Sequence, residues 1–267
     1  MHEVTAMTNE SLTLFIPLYG KALMSREGFL NDPMAEKIVS SVDYDFGKVD
    51  QSRKLAIYMA MRAARYDSCV REFVREHPDG LILQLGVGLD SRVARVPCGN
   101  PWYDLDFPDV IDLRRTYFPE DERYHLIAAP ALPADWLSGV PRAEHALVLA
   151  EGLSMYLSEA DMRALMAALQ AHFPQTTFIF DAYSKSAAKL SALKNPVNAV
   201  KAKIDFAMDD PQQLLTGTQG IAAVLDADII TPEAIERLKG VDRWRFRFMG
   251  RFGKRFYRIF GYEIEGR

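Results

Sequence analysis

The feature that most restricts what this chain can become is the run Leu81-Ile82-Leu83-Gln84-Leu85, which ends directly in Gly86-Val87-Gly88. A short, nearly continuous apolar run without polar alternation suits a strand covered on both faces. Glycines placed immediately after it let the backbone turn sharply and approach a ligand, where the next helix also presents its N-terminal amides. Four further candidate strands follow: Trp102 to Leu105, Tyr124 to Ala128, Ala146 to Ala150 and Thr177 to Phe180. The intervals between them leave room for helices. Strands alternating with helices imply an α/β fold with a mostly parallel, Rossmann-like sheet, helices on both faces and right-handed crossovers.

The flanks have a different texture. Residues 1–80 read as a helical cover: Met34 to Val42 is apolar at helical spacing after Asn31-Asp32-Pro33, and Ser52 to Val74 carries Leu55, Met59, Ala63, Tyr66, Val70 and Phe73 near one face. His77-Pro78-Asp79-Gly80 stops that helix. Ser158 opens another, with Asp161 at the reciprocal capping position. After Asp181 the alternation gives way to a Lys-rich region expected to be helical through about Asp210. Ala222 to Ile230 reads as a strand, Thr231-Pro232-Glu233 as a helix start and Tyr262 to Glu265 as a terminal strand. Arg243 to Phe248 alternates like a strand, yet its continuation to Phe252 and Phe256 also fits a helical face, and a helix is the preferred reading. The expected organisation is one domain over 1–267: cover 1–80, ligand-binding core 81–183, helical insertion 184–220 and completion of the sheet over 221–267.

Charge narrows the partners. With 36 Asp and Glu against 32 Lys and Arg, the formal net charge is -4, which argues against a nucleic-acid backbone binder. No apolar run is long enough to span a membrane, and the opening Met1-His2-Glu3-Val4-Thr5 lacks the pattern of a secretory leader, so a cytoplasmic location and no membrane partner are expected. Cys69 and Cys98 alone make neither a disulfide framework nor a tetrahedral metal site, and no metal is expected.

The residues that carry chemistry converge on one sheet edge. Gly86 and Gly88 begin a dinucleotide-like fingerprint whose third glycine falls at Ser91, which weakens a pyrophosphate reading. Asp106 lies twenty positions after Gly86 at the end of the next strand, where a carboxylate can accept both ribose hydroxyl protons. Asp104 points to the other face of an ideal strand, and Asp109 is available to cap the following helix. Glu151 follows Leu147-Val148-Leu149 and emerges at the same edge. An NAD-dependent oxidoreductase would use the same turn and ribose carboxylate.

Taken together, Arg62 followed by Asp67, Leu85-Gly86-Val87-Gly88-Leu89-Asp90-Ser91-Arg92, Asp104-Leu105-Asp106-Phe107-Pro108 and Ala150-Glu151-Gly152 resemble the leucine carboxyl methyltransferase family, particularly its tetracenomycin-type polyketide O-methyltransferase branch. The likeness covers roughly residues 11–183. It implies a class I methyltransferase using S-adenosylmethionine, on a seven-stranded sheet whose last strand is inserted antiparallel. It further implies that Lys21 and Arg62 hold the methionine carboxylate, that Gly86 and Gly88 pass close to the methionine and ribose, that Asp106 binds the ribose hydroxyls and that Glu151 lines the pocket. Arg65, on the same helix as Arg62, is the rival for the carboxylate.

One departure stands out: relatives commonly carry Asp-Leu after the third strand, near the adenine, where this chain has Ala128-Ala129-Pro130-Ala131. Asp135 compensates only if its loop folds back. The expected acceptor is a small metabolite offering a carboxylate or phenolic oxygen, polyketide-like in one reading, with Tyr156, Tyr183 and Arg251 as candidate contacts. No catalytic base is assigned, and His125 and His145 read as structural. A non-catalytic cofactor-binding or interaction protein is the remaining alternative, and oligomeric state is left open.

Overall fold

Seven strands form one sheet in the order β3-β2-β1-β4-β5-β7-β6. They are β1 Leu81–Leu85, β2 Trp102–Asp106, β3 Tyr124–Ala128, β4 His145–Ala150, β5 Gln175–Tyr183, β6 Ile221–Asp228 and β7 Tyr257–Glu265. The computed structural model describes residues 7–8, 11–49, 52–191, 204–252 and 256–267. The first five strands are parallel, and β7 runs antiparallel between β5 and β6. The expected Rossmann-like sheet with an antiparallel insertion is therefore present. Chain direction across the sheet reverses between β1 and β4, a switch point that opens a crevice beyond the strands' carboxyl ends.

Among the described residues, three α-helices precede the sheet: α1 Phe15–Arg26, α2 Pro33–Ser41 and α3 Arg53–Glu76. The Asp32 side chain caps α2 by accepting from Ala35 N, and Ser52 caps α3 by accepting from Leu55 N. A Cβ on Gly20 would lie 3.1 Å from Ala56 Cα, so glycine is what lets α1 cross α3 closely. Leu18, Ile57, Tyr66 and Val70 belong to the core on one face of the sheet, which also includes Leu147 and Ile179. On the other face α6, Glu159–His172, buries Met162, Leu165, Met166 and Leu169. Both halves of its expected capping box form: Asp161 N donates to Ser158 Oγ, and Ser158 N donates to Asp161.

Between these lie α4 Arg92–Arg95 and α5 Pro108–Arg115; α7 Lys185–Ser191, α8 Pro232–Glu236 and α9 Gly240–Phe252 follow β5. Arg243 to Phe248 is thus helical, burying Phe246 and leaving Trp244 and Phe248 outside. The expected helical insertion over 184–220 is only partly found. Among the described residues it is helical in α7, then makes a bridge from Tyr183 to Ala207 and a tight 3₁₀ turn over Pro211–Leu215. Asp209-Asp210-Pro211 explains the break, because proline disfavours helical geometry in the residue before it and the Asp210 carboxylate accepts from Gln212 N. Residues 192–203 lie outside the described residues. No helix among those described is long and apolar enough to cross a membrane.

Candidate active site at the switch point

A cavity of about 500 Å³, within the range of small-molecule sites, opens at the carboxyl ends of β1, β2 and β4. Its floor includes Gly86, Gly88, Asp106 and Glu151, and Lys21 and Arg62 reach it from α1 and α3. All six residues expected to bind the cofactor are therefore brought together. Gly86 and Gly88 both have left-handed backbone, at φ 62° and 55°, which only glycine adopts without strain. Ser91 needs no such freedom at φ -98°. Its buried hydroxyl instead donates to Asp32 Oδ1 at 2.5 Å and accepts from Arg95 Nη1 at 2.9 Å, which is why serine replaces the fingerprint's third glycine.

Asp106 accepts from Gly88 N and from Phe107 N, each at 2.7 Å. Burial pushes its carboxyl up to about 6, partly offset by those two backbone donors. Asp104 points away from the cavity as expected and is fully buried, accepting from Arg114 Nη2 at 2.5 Å, Tyr124 Oη at 2.6 Å and Trp102 Nε1 at 2.8 Å. The N-cap residue of α5, Phe107, offers no side-chain cap, but the Asp109 carboxylate accepts from the first-turn amide of Val110 at 3.0 Å. It also accepts from Ser11 Oγ at 2.8 Å and Thr8 N at 3.3 Å, tying the segment before α1 to the cavity's rim.

The opposite end of the cavity is densely charged. Arg62 donates from Nε to Glu151 Oε1 at 2.9 Å, while its Nη1 lies 3.4 Å from Asp181 Oδ2 and 3.3 Å from the Tyr257 hydroxyl. Lys21 Nζ lies 2.5 Å from Asp90 Oδ2. Burial disfavours the Asp90 carboxylate, but Arg92, Lys21 and Arg95 outweigh it and hold the group well below the usual range. Burial raises Asp181 to about 6 against the pull of Arg62. Arg65, the rival of Arg62, instead lines a separate cavity with Glu233 and Arg247.

Pro130, Ala131, Leu132 and Phe107 add apolar surface to the cavity that Asp106 lines. Asp135 is exposed and absent from the cavity's lining, so the loop does not fold back to replace the missing carboxylate. Its place in a 3₁₀ turn over Ala134–Gly139 aims the chain away once Trp136 and Leu137 are buried. Tyr156 and Tyr183 do line the cavity, with Ile16, Pro17, Leu55 and Met59. Arg251 falls within α9, but its side chain lies outside the described residues. His145 stacks on His77 with ring centroids 4.0 Å apart, and His125 packs 4.6 Å from Tyr103; neither lines the cavity.

Sequence reasoning did not single out Gln84, Asp90, Arg92, Arg95 or Asp181 as site residues. Asp90 and Arg92 stood in the quoted motif, but the long-range pairings of Arg95 with Asp67 and Asp32, and of Asp181 with Arg62, join residues dozens of positions apart and gave no local signal.

The sequence pattern of leucine carboxyl methyltransferase matches residues 16–170. The tetracenomycin polyketide synthesis O-methyltransferase TcmP of Streptomyces glaucescens is 32% identical over 248 residues, covering 91% of this chain and 92% of that protein. The chain belongs to the leucine carboxyl methyltransferase family. As a member it is an S-adenosylmethionine-dependent methyltransferase, and the oxidoreductase and non-catalytic alternatives are set aside. Solved structures agree on the fold. A duf574 family protein from Streptomyces avermitilis superposes with a TM-score of 0.60 at 11% identity, over 88% of this chain and 96% of that one. The plantazolicin methyltransferase BpumL, in complex with a monoazolic desmethylPZN analog and SAH, gives 0.52 at 12% identity, over 96% and 98%.

The donor set fits this family's cofactor. Two cations beside two carboxylates, Lys21 and Arg62 with Asp90 and Glu151, complement a zwitterionic amino-acid tail. Asp106, whose described partners are both backbone amides, can accept from a vicinal diol.

Proposed function

We propose that this leucine carboxyl methyltransferase family member, working as one domain over its 267 residues, methylates a carboxylate oxygen of a small, largely apolar metabolite. Lys21 and Arg62 would hold the cofactor's carboxylate, Glu151 would face its ammonium, and Asp106 would accept from the ribose hydroxyls. Gly86 and Gly88 let the backbone pass close beneath it, and Phe107, Pro130 and Leu132 would receive the adenine by apolar contact. The cofactor supplies a methyl group activated by its sulfonium sulfur. The chain's contribution is alignment of acceptor oxygen, methyl carbon and sulfur, which can provide much of the acceleration.

The observation behind the choice of a carboxylate is that, once Asp106 is given to the ribose hydroxyls, the cavity's described side chains leave no carboxylate or imidazole over to act as a base. Glu151 and Asp90 are locked to cations, and Asp161 is engaged by both donors of Ser158. Tyr183, raised to about 12 by burial, stays a neutral phenol near neutrality and in that form does not accept the proton. No histidine lines the cavity among the described residues. An acceptor therefore has to arrive already ionised, as a carboxylate does near pH 7 and a phenol does not. Ile16, Pro17, Leu55 and Met59, with Tyr156 and Tyr183, favour an apolar or aromatic body behind that carboxylate, as in an aromatic polyketide acid.

The test is to offer the purified protein S-adenosylmethionine with matched aromatic acids and phenols, resolving methyl esters from methyl ethers by mass spectrometry. Esters are expected, with a rate at saturating cofactor that is independent of pH above the acid's own pKa. Ethers alone, with a rate climbing towards the phenol's pKa, would overturn the carboxylate assignment.

A further inference from the structure

Cofactor recognition as proposed uses only half of the charge cluster. Lys21, Arg62, Asp90 and Glu151 line the cavity, whereas Arg92 does not and is completely buried behind them. Arg92 donates from Nη2 to Glu151 Oε2 at 2.5 Å and from Nε to Asp67 Oδ1 at 3.0 Å, and its backbone N–H donates to Asp90 Oδ1 at 2.6 Å. Both carboxylates at the charged end of the cavity are thus tied to one residue outside its lining.

That arrangement decides what can happen when an amino-acid tail arrives. Arg62 is engaged by Glu151 through Nε. A ligand carboxylate that draws Arg62 to itself weakens that pairing, and a buried carboxylate left without a cation takes up a proton. Burial by itself raises the Glu151 carboxyl, and Arg62 and Arg92 together outweigh it, with Lys21 helping and Asp90 opposing. Of the two arginines, Arg92 is the one out of the ligand's reach. Its Nη1 is also buried without a hydrogen-bond partner. A purely structural role does not explain such a cost, because an apolar side chain of similar volume often stabilises a core as well as a buried ion pair does.

We propose that Arg92 is a positioning residue for the amino-acid end of the cofactor, keeping Glu151 ionised and aimed at the ligand's ammonium while Arg62 turns to its carboxylate. The proposal rests on the reading that Lys21 and Arg62 grip that carboxylate. Asp67, which accepts from Arg92 Nε and from Arg95, fixes the guanidinium from behind.

The test is calorimetric titration of wild type, Arg92→Lys, Glu151→Gln and the double variant with two ligands. S-adenosylhomocysteine carries the tail, and 5′-methylthioadenosine keeps the nucleoside and sulfur without it. Arg92→Lys retains a charge but loses the planar fork. It is expected to weaken S-adenosylhomocysteine roughly tenfold to a hundredfold and 5′-methylthioadenosine less than about threefold. In the Glu151→Gln background the Arg92 change should add little, since its partner is already gone. Equal weakening of both ligands, or an undiminished loss when Arg92→Lys is added to Glu151→Gln, would assign Arg92 a structural role and overturn the proposal. Asp67→Asn, which holds Arg92 from behind without touching Glu151 itself, serves if Arg92→Lys does not fold: a smaller loss selective for the tailed ligand and abolished in the Glu151→Gln background is expected, and no selectivity, or a loss that persists in that background, overturns. Wild type binding both ligands equally well would mark a different failure, that of the tail-gripping reading itself, and the proposal would fall with it.

Discussion

The floor of the cavity and its outer wall are built on opposite principles. On the floor, Asp106, Glu151, Asp90, Lys21 and Arg62 each have specific charged or backbone partners. The wall of Ile16, Pro17, Leu55 and Met59 is defined by shape alone. A buried charge is tolerated only with its counterpart in place, so the floor is over-determined and admits little substitution. An apolar wall discriminates ligands by modest amounts per methylene and can be reshaped without collapse. On the function proposed above, the floor would bind the cofactor and the wall would choose the acceptor.

The hardest test of that division is Arg62→Met. It leaves Glu151 and Asp181 short of a cation, and should lower stability by about 3–5 kcal/mol and S-adenosylhomocysteine affinity by about a hundredfold or more. Urea unfolding and calorimetry measure the two; an unchanged affinity would remove Arg62 from the floor. Next comes Asp106→Ala, expected to weaken S-adenosylhomocysteine by about 1–3 kcal/mol through loss of the ribose acceptor.

The pH dependence sharpens the same point. The ligand-free Asp106 carboxyl sits at about 6, and hydroxyl donors favour its ionised form. Affinity should therefore be fully present above that pH and fall as pH drops through it, by up to about tenfold per unit. Asp106→Asn should remove most of that slope; whatever persists belongs to Asp181, also raised to about 6. Smallest in expectation is Met59→Ala on the wall. It should change kcat/KM for the acceptor by roughly 1 kcal/mol and leave S-adenosylhomocysteine affinity within about twofold. A comparable loss of cofactor affinity would break the division between floor and wall.

How legible each part was follows from the same physics. Strands β1 and β4 announced themselves because a fully covered strand is a nearly contiguous apolar run, and α3 and α6 through periodicity and caps. Gly86, Gly88, Asp106 and Glu151 were readable because a parallel sheet delivers successive strand ends to one edge. The choice between Arg62 and Arg65 was not, since three residues on one helix separate a cavity wall from a neighbouring pocket only after α3 is packed. Of the insertion over 184–220, α7 was legible as a helix and the turn at Pro211–Leu215 follows from Asp210-Pro211, while residues 192–203 lie outside the described residues.

The order of elements, the glycine turn and the family were determined by the sequence, because backbone covering, left-handed φ and local capping are properties of neighbours along the chain. Which charges meet was decided only by tertiary structure. Asp67 in α3, Arg92 in α4 and Glu151 just after β4 are far apart in the chain, and their pairing exists because folding removes water from between them and leaves buried groups of opposite charge as the counterions at hand.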